Sequence, residues 1–373
     1  MDAVASGSRT SVNDRMTNLN PLEEMAAAGH ERVCYHYDEA TGLRAIIAVH
    51  STALGNALGG CRRWCYAHEN DALFDVLRLS EGMTWKAACA GLAMGGAKSV
   101  IMLPKRDTPI TPDEAHAMGR FIDTLSGTYI GAEDVGVSPE FTDWMLETTN
   151  HVMGGTGEGQ GGDPSPHTAM GVIYGMQASL RRIGQDQFAG LTVAIQGLGS
   201  VGTHLARLLH ERGAELVVAD TSQAKVDHVV NAYHAKAVSC DEILKTECDI
   251  LAPCALGAVF DEASIPGIQA KIICGASNNV LRDPDADAQR IHEHGVLYAP
   301  DFVVNAGGLI HLAGLYLGYT TQQLQDTIAR IEDTTMTIFE MADDHPTTGH
   351  AALALARQRV EAGRTAQEGI NAC

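Results

Sequence analysis

Two lysines stand where lysines are seldom found. Lys86 and Lys98 lie within Gly82–Val100, a run otherwise almost wholly apolar or small. Lysine is rarely buried without a partner, and burial or a second cation nearby lowers its pKa by disfavouring the charged form. The pair therefore suggests one lysine that binds an anion and one pushed toward neutrality for proton transfer. The segment alone equally allows two surface lysines whose stems lie along a core helix. A P-loop is a poor reading, because Ala97 separates Gly96 from Lys98 and no strand precedes it in the required position.

A second signature lies at Gly197, Gly199 and Gly202. An apolar strand, Leu191–Gln196, precedes these glycines and a helical stretch, His204–His210, follows. A second apolar run then ends in Asp220, about twenty residues on. Such glycines let the backbone approach a pyrophosphate at a helix N-terminus. Asp220 can accept hydrogen bonds from an adenosine ribose and would repel a 2′-phosphate, so NAD is favoured over NADP.

These groups need elements to position them. Val33–Tyr37 and Leu43–His50, joined across an Ala-Thr-Gly turn, read as a β-hairpin. The Gly59-Gly60 pair offers close backbone approach to a ligand, or an ordinary turn. From Asn70, residues Leu73, Val76, Leu77, Ser80 and Thr84 recur at helical spacing and carry Lys86 in the last turns. Gly95-Gly96 reads as a turn delivering Lys98, with Ser99–Leu103 a short buried strand behind it. Thr111-Pro112-Asp113-Glu114 is a helix start, and Tyr129–Val135 a strand with Glu133 and Asp134 at its end. The glycine-dense Gly154–Gly162 reads as a mobile connector, and the helix after it as spanning about Thr168 to Ile183. Apolar runs at 249–256, 271–276 and 295–300 each end in a small or polar loop, where an open parallel sheet places its ligands. Asn278, Asn279 and Asn305 sit in such loops, although a single asparagine is more often a turn former. From Leu309 onward the pattern is helical.

The chain has 373 residues, too many for one comfortable core, and strands alternating with helices predict an α/β protein of two domains. Its 26 basic and 46 acidic residues leave a formal charge of −20, which disfavours nucleic acid and anionic membranes and suits small-molecule chemistry. Nine scattered cysteines, without a Cys-x-x-Cys pair, predict reduced thiols, no metal site and a cytoplasmic protein. Residues 1 to about 20 are polar, without a signal-peptide core, and read as a poorly ordered arm.

Together the motifs resemble one family. Leu58-Gly-Gly-Cys-Arg62, Gly82-Met-Thr-Trp-Lys86, Gly95-Gly-Ala-Lys98, Ala132-Glu-Asp134, Asp163-Pro-Ser-Pro166, Ala252-Pro-Cys-Ala-Leu256 and Asn305-Ala-Gly-Gly308 look like those of the amino-acid dehydrogenases acting on leucine, valine and phenylalanine, relatives of glutamate dehydrogenase. The resemblance covers about Glu24 to Glu368. It implies an N-terminal α/β substrate-binding and oligomerisation domain at 1–160, to which a C-terminal helix at 346–373 returns. It also implies a Rossmann NAD-binding domain at 161–345, with a cleft between the two. The implied partners are an amino acid, its 2-oxo acid and further copies of the chain.

The resemblance also assigns roles. Lys86 matches the lysine that holds the substrate carboxylate, with Gly59, Gly60 and Asn279 fixing the amino-acid head. Lys98 matches the catalytic lysine, and Asp134 the acid that exchanges a proton with the substrate nitrogen. Leu58, Ala132, Leu309 and Leu312 are implied to line the side-chain pocket. Thr168, Gly197, Leu198, Gly199, Ser200, Val201, Gly202, Thr203, Asp220, Thr221, Ala255, Leu256, Asn278 and Asn305 match cofactor contacts. The implied reaction is reversible oxidative deamination, with Lys98 partly neutral to activate water. Cys61, where threonine is usual, and Arg63-Trp64 depart from the pattern and bear on pocket shape. Leucines at 309 and 312 fill space an aromatic ring would need, which favours leucine, valine or isoleucine. Phenylalanine as substrate, and an inactive NAD-binding sensor or scaffold, are the alternatives.

Overall fold

A nearly continuous buried run along Leu43–Ser51, broken only at Arg44, and a tight turn at Gly42 set up the first hairpin. In the computed structural model, which describes residues 20–157, 161–255 and 257–371, the chain gathers into two compact units. One is Met1–Thr84 with Met94–Gln160, and the other is Trp85–Ala93 with Gly161–Cys373. The expected N-terminal arm falls almost wholly outside the described residues, as does the middle of the expected connector.

The first unit begins with α1 (Pro21–Ala28), then β1 (Arg32–Asp38), β2 (Leu43–Ser51) and β3 (Ala57–Trp64). The helix α2 (Glu69–Cys89), β4 (Gly95–Met102), α3 (Pro112–Asp123), β5 (Tyr129–Glu133) and α4 (Pro139–Leu146) follow. The sheet order is β1-β2-β4-β3-β5. β1, β2 and β4 pair antiparallel, as the predicted hairpin requires, while β3 runs parallel to both β4 and β5. Helix α3 starts where its sequence predicts: Thr111 caps it by accepting the Glu114 amide, with Pro112 in the first turn.

Both glycine pairs lie inside strands, not in turns. A Cβ on Gly59 would stand 1.7 Å from the Ala97 carbonyl oxygen, and one on Gly96 would stand 2.1 Å from the Thr84 amide nitrogen. The first pair lets β3 and its surroundings close up, and the second lets α2 press its last turns onto β4. Close approach, not a bend, is what these glycines supply.

The second unit contains α5 (Ser165–Arg182), β6 (Thr192–Gln196), α6 (Ser200–His210), β7 (Glu215–Ala219), α7 (Gln223–Tyr233) and β8 (Lys236–Ala237). β9 (Ile250–Pro253), β10 (Ile272–Ile273), α8 (Ala286–Glu293), β11 (Leu297–Tyr298) and α9 (Asp301–Val304) complete its sheet region. Helices α10 (Gly307–Leu317), α11 (Thr321–Met341) and α12 (Thr348–Asn371) end it. Its six strands, all parallel, run β11-β10-β9-β6-β7-β8, the doubly wound order of a dinucleotide-binding fold. Helix α5 opens three residues earlier than its apolar spacing suggests, because Asp163 accepts the Ser165 amide and starts the turn. On α12, Arg359 donates to the Ala88 and Cys89 carbonyls at 2.9 and 2.7 Å, capping the C-terminus of α2 with a cation.

No described helix is long and apolar enough to cross a membrane.

Candidate active site

Strand alternation sorts the first unit's residues onto two faces. In-register pairing puts Leu58, Gly60 and Arg62 of β3 on one face with Gly96, Lys98 and Val100 of β4 and Ile130 and Ala132 of β5. The opposite face carries Cys61, Ala97, Ile101 and Tyr129 into a core with Met118, Phe121, Ile122 and Phe141 of the α3–α4 layer. Cys61 is wholly buried there, and burial pushes its thiol up to about 12. Arg63 points the same way, donating to the Thr108 and Pro109 carbonyls and to Glu114. Cys61 and Arg63 therefore serve the core and the loop before α3, away from the face that bears Lys98, and do not shape a pocket there as the sequence suggests.

On that face Lys98, only 6% exposed, does not lie among apolar groups alone: its Nζ is 3.0 Å from Asp134 Oδ2. Burial would raise the Asp134 pKa, but the ammonium of Lys98 and the guanidinium of Arg62 outweigh it and hold the carboxyl below its ordinary value. Gly60 closes the group. A Cβ there would fall 2.8 Å from the Asp134 Cβ and 3.2 Å from Lys98 Nζ, so only hydrogen fits. Leu58 and Ala132, both buried, flank Gly60 on the same face. An acid, an amine and a bare stretch of main chain thus meet around one point, a set able to shuttle protons and to bind a polar head.

In the second unit the β6–α6 turn has a phosphate-binding form. Gly197 adopts φ +96°, and a Cβ would strike the Ala255 main chain at 2.7 Å. Gly202 must be bare because a Cβ would lie 2.0 Å from the Gly197 carbonyl oxygen, whereas the space above Gly199 is open. Gly199 begins α6 without any side-chain cap, so the first amides of the helix are left for an anion. Thr203 ties the turn by donating to the Leu198 carbonyl, and Ser200 donates to Asp163. Asp220 accepts from the Leu198 and Ser222 amides at 2.7 and 2.8 Å. Burial would raise its pKa, but those hydrogen bonds hold it lower. Thr221 is exposed beside it.

At the carboxyl ends of β9 and β10, Ser277 donates to the exposed Ala255 carbonyl. Asn305 Nδ2 donates to Asn278 Oδ1 at 2.7 Å and to the Ala276 carbonyl at 3.1 Å. Its Oδ1 is buried and has no hydrogen-bond partner among the described residues. Such an orphaned acceptor costs free energy unless a donor arrives, and a carboxamide N–H is a fitting one. The residues present therefore fit a nicotinamide dinucleotide. Leu256 lies outside the described residues. Thr168 donates to the Pro164 carbonyl in the first turn of α5 and sits against Gly308, where a Cβ would meet its Oγ1 at 2.7 Å.

Lys86, half-buried in the last turn of α2, donates to Asn278 Oδ1 at 3.5 Å. Asn279 is exposed with φ +52° and is held by the half-buried Asp301, whose carboxylate accepts the Val280 and Phe302 amides. Burial raises the Asp301 pKa against the pull of Lys86. Leu309 is buried and Leu312 half-buried on α10. Asp301 and Arg62 are the two charged residues to which the sequence attached no role. Arg62 stands inside one of the motifs and Asp301 directly follows an apolar run, and the bonds each makes are set by the fold.

Comparison with known proteins decides what the arrangement belongs to. The model of the Glu/Leu/Phe/Val dehydrogenase dimerisation domain matches residues 30–151, and that of glutamate/leucine/phenylalanine/valine dehydrogenase matches 161–228 and 219–327. The chain belongs to this amino-acid dehydrogenase family. It is 44% identical to leucine dehydrogenase of Geobacillus stearothermophilus over 349 residues, 92% of this chain and 94% of that one. It is 40% identical to valine dehydrogenase of Streptomyces virginiae, over 93% and 98% of the two chains. The crystal structure of L-tryptophan dehydrogenase from Nostoc punctiforme superposes with a TM-score of 0.83 at 38% identity, covering 92% of this chain and 99% of that one. As a family member the protein is an oxidoreductase, and its dehydrogenase fold is the one the motifs implied.

Proposed function

We propose that the protein catalyses the reversible NAD-dependent oxidative deamination of a hydrophobic L-amino acid, leucine, valine or isoleucine by preference, to the 2-oxo acid and ammonia. The observation that carries this reading is the Lys98–Asp134 pair, 3.0 Å apart beside the bare main chain of Gly60. Lys86 holds the substrate carboxylate as a point charge, and Gly59, Gly60 and Asn279 orient the amino-acid head. Asp134, kept ionised by its two cations, takes a proton from the substrate ammonium, so that the nitrogen lone pair can form the C=N bond as hydride leaves Cα. Lys98, having first released its ammonium proton to solvent, takes a proton from the water that adds to this carbon and, as the ammonium again, steadies the developing charge on oxygen. Collapse of the carbinolamine expels ammonia with a proton returned through Asp134.

Gly197 to Thr203, Asp220, Thr221, Ala255, Asn278, Asn305 and Thr168 would hold NAD, which when bound would supply the hydride acceptor. The Asp220 carboxylate disfavours a 2′-phosphate and supports NAD over NADP. Leu58, Ala132, Leu309 and Leu312 supply aliphatic bulk that favours a branched side chain over an aromatic ring. A homo-oligomer is supported by the description of the matching N-terminal domain and by Tyr35 and Tyr37, exposed on the edge strand β1. Unpaired cysteines throughout the described residues support a reducing, cytoplasmic setting.

The test is reduction of NAD and of NADP in alkaline buffer, followed by the near-ultraviolet absorbance of the reduced nicotinamide. Leucine, valine, isoleucine, phenylalanine, tryptophan and glutamate are offered in turn. Fastest turnover with an aliphatic amino acid and NAD is expected. An aromatic preference would overturn the substrate assignment, and silence with all six despite dinucleotide binding would favour a sensor.

A further inference from the structure

Arg62 lies on β3 in the same segment as Gly59 and Gly60, and so far enters only as a charge that helps keep Asp134 ionised. Its guanidinium bridges two carboxylates. Nε donates to Asp134 Oδ2 at 3.0 Å, and Nη1 donates to Asp75 Oδ2 on α2 at 3.0 Å. Asp75 is itself fixed: Tyr66 donates its hydroxyl to Oδ2 at 2.8 Å, and Arg78 donates to Oδ1 at 2.5 Å. The side chains of Arg62 and Asp75 are 21% and 13% exposed, so these charge-assisted bonds are largely shielded from water.

The consequence falls on Asp134. Lys98 and Arg62 both converge on its Oδ2, and no described residue hydrogen-bonds its Oδ1. We infer that Arg62 is a positioning residue for the reaction: anchored by Asp75, it turns the Asp134 carboxylate so that Oδ2 meets the two cations and Oδ1 is presented to the substrate nitrogen. This rests on the reading of Asp134 as the acid that exchanges a proton with that nitrogen. Arginine suits the task because one planar fork spans two carboxylates at fixed angles, whereas a lysine ammonium would satisfy one and release the other. A bond that only braced β3 against α2 would need Asp75 but not Asp134. Arg62 donates to both.

The test is a double-mutant cycle on the full chain with Arg62→Gln, Arg62→Lys, Asp134→Asn and the Arg62→Gln/Asp134→Asn pair. Readouts are kcat, the KM for amino acid and for NAD, NADH binding by fluorescence, and the thermal midpoint. Arg62→Gln is expected to lower kcat roughly 10- to 100-fold, the range for losing a charge-assisted hydrogen bond, with NADH binding and the KM for NAD unchanged. Arg62→Lys recovers part of that loss. Added to Asp134→Asn, Arg62→Gln lowers the residual rate by no more than about threefold, because the two act as one unit. Wild-type kcat in Arg62→Gln, or an equal fall in both backgrounds, overturns the proposal and leaves Asp134 as assigned. Wild-type turnover in Asp134→Asn instead removes the reading on which the proposal stands. If Arg62→Gln does not fold, Arg62→Lys in both backgrounds reads the same coupling, and an equal loss in each overturns it.

Discussion

At Gly60 a single hydrogen separates a working group of charges from a crowded one. A methyl there would press on Asp134 Cβ and Lys98 Nζ together, and a carboxylate and an ammonium held 3.0 Å apart cannot both yield without losing their alignment. Gly60→Ala is therefore expected to lower turnover by about 10²-fold, the scale on which small misplacements act. Dinucleotide binding, measured by NADH fluorescence, should be kept, because Gly197, Asp220 and Asn305 lie elsewhere in the chain. Unchanged turnover would show that the space around Lys98 is looser than these distances imply. The lysines and the glycine fingerprint stood out in the sequence by residue type and setting, while the roles given to Lys86, Lys98 and Asp134 came from the family resemblance. Arg62 did not, because Asp75 lies on the next helix and Asp134 stands two helices and two strands further along, and only the fold joins the three.

Among the elements, α2 carries the most. Its inner side packs Leu73, Val76 and Leu77 on Ile46, Ala48 and Val100 of the sheet, and Thr84 lies against Gly96. Beneath it sits a buried pair of imidazoles. His30 and His50 meet edge to face with centroids 4.7 Å apart, His30 bonded to Leu77 and Ser80, His50 to Thr84. Burial, aided by His50, lowers the His30 pKa from 6.5 to about 4. The unfolded chain then takes up a proton at a pH where the folded one does not. Stability is complete above 6.5 and falls as pH drops from 6.5 toward 4. Between about pH 7.5 and about pH 5 this group withdraws about 2 kcal/mol. Denaturant unfolding of wild type and of His30→Gln at both pH values checks it. The variant should lose less stability on acidification, and an equal loss would exclude His30 as the source. The helix and the β1–β2 hairpin were legible from periodicity and turn chemistry. Strands β3 and β4 were not fully so, because glycine pairs that permit close packing carry the same letters as glycine pairs that turn.

For the molecule as a whole, six parallel strands in doubly wound order and a mixed five-stranded sheet divide the chemistry between two units. The dinucleotide end was legible because Gly-x-Gly-x-x-Gly between a strand and a helix, with an acid at the next strand's end, has one common physical use. Which residues of a unit stand together was less so, since Lys86 closes a helix begun in one unit yet groups with Asn278 of the other. In the proposed mechanism Lys98, paired with Asp134, handles the protons of deamination while other residues hold the dinucleotide. The most direct measurement is NADH formation from leucine by Lys98→Ala, with NADH binding determined on the same sample. Turnover is expected to fall by about 10³-fold, within the range for removing a general base, while the binding constant stays at its wild-type value. Wild-type turnover in that variant would contradict it.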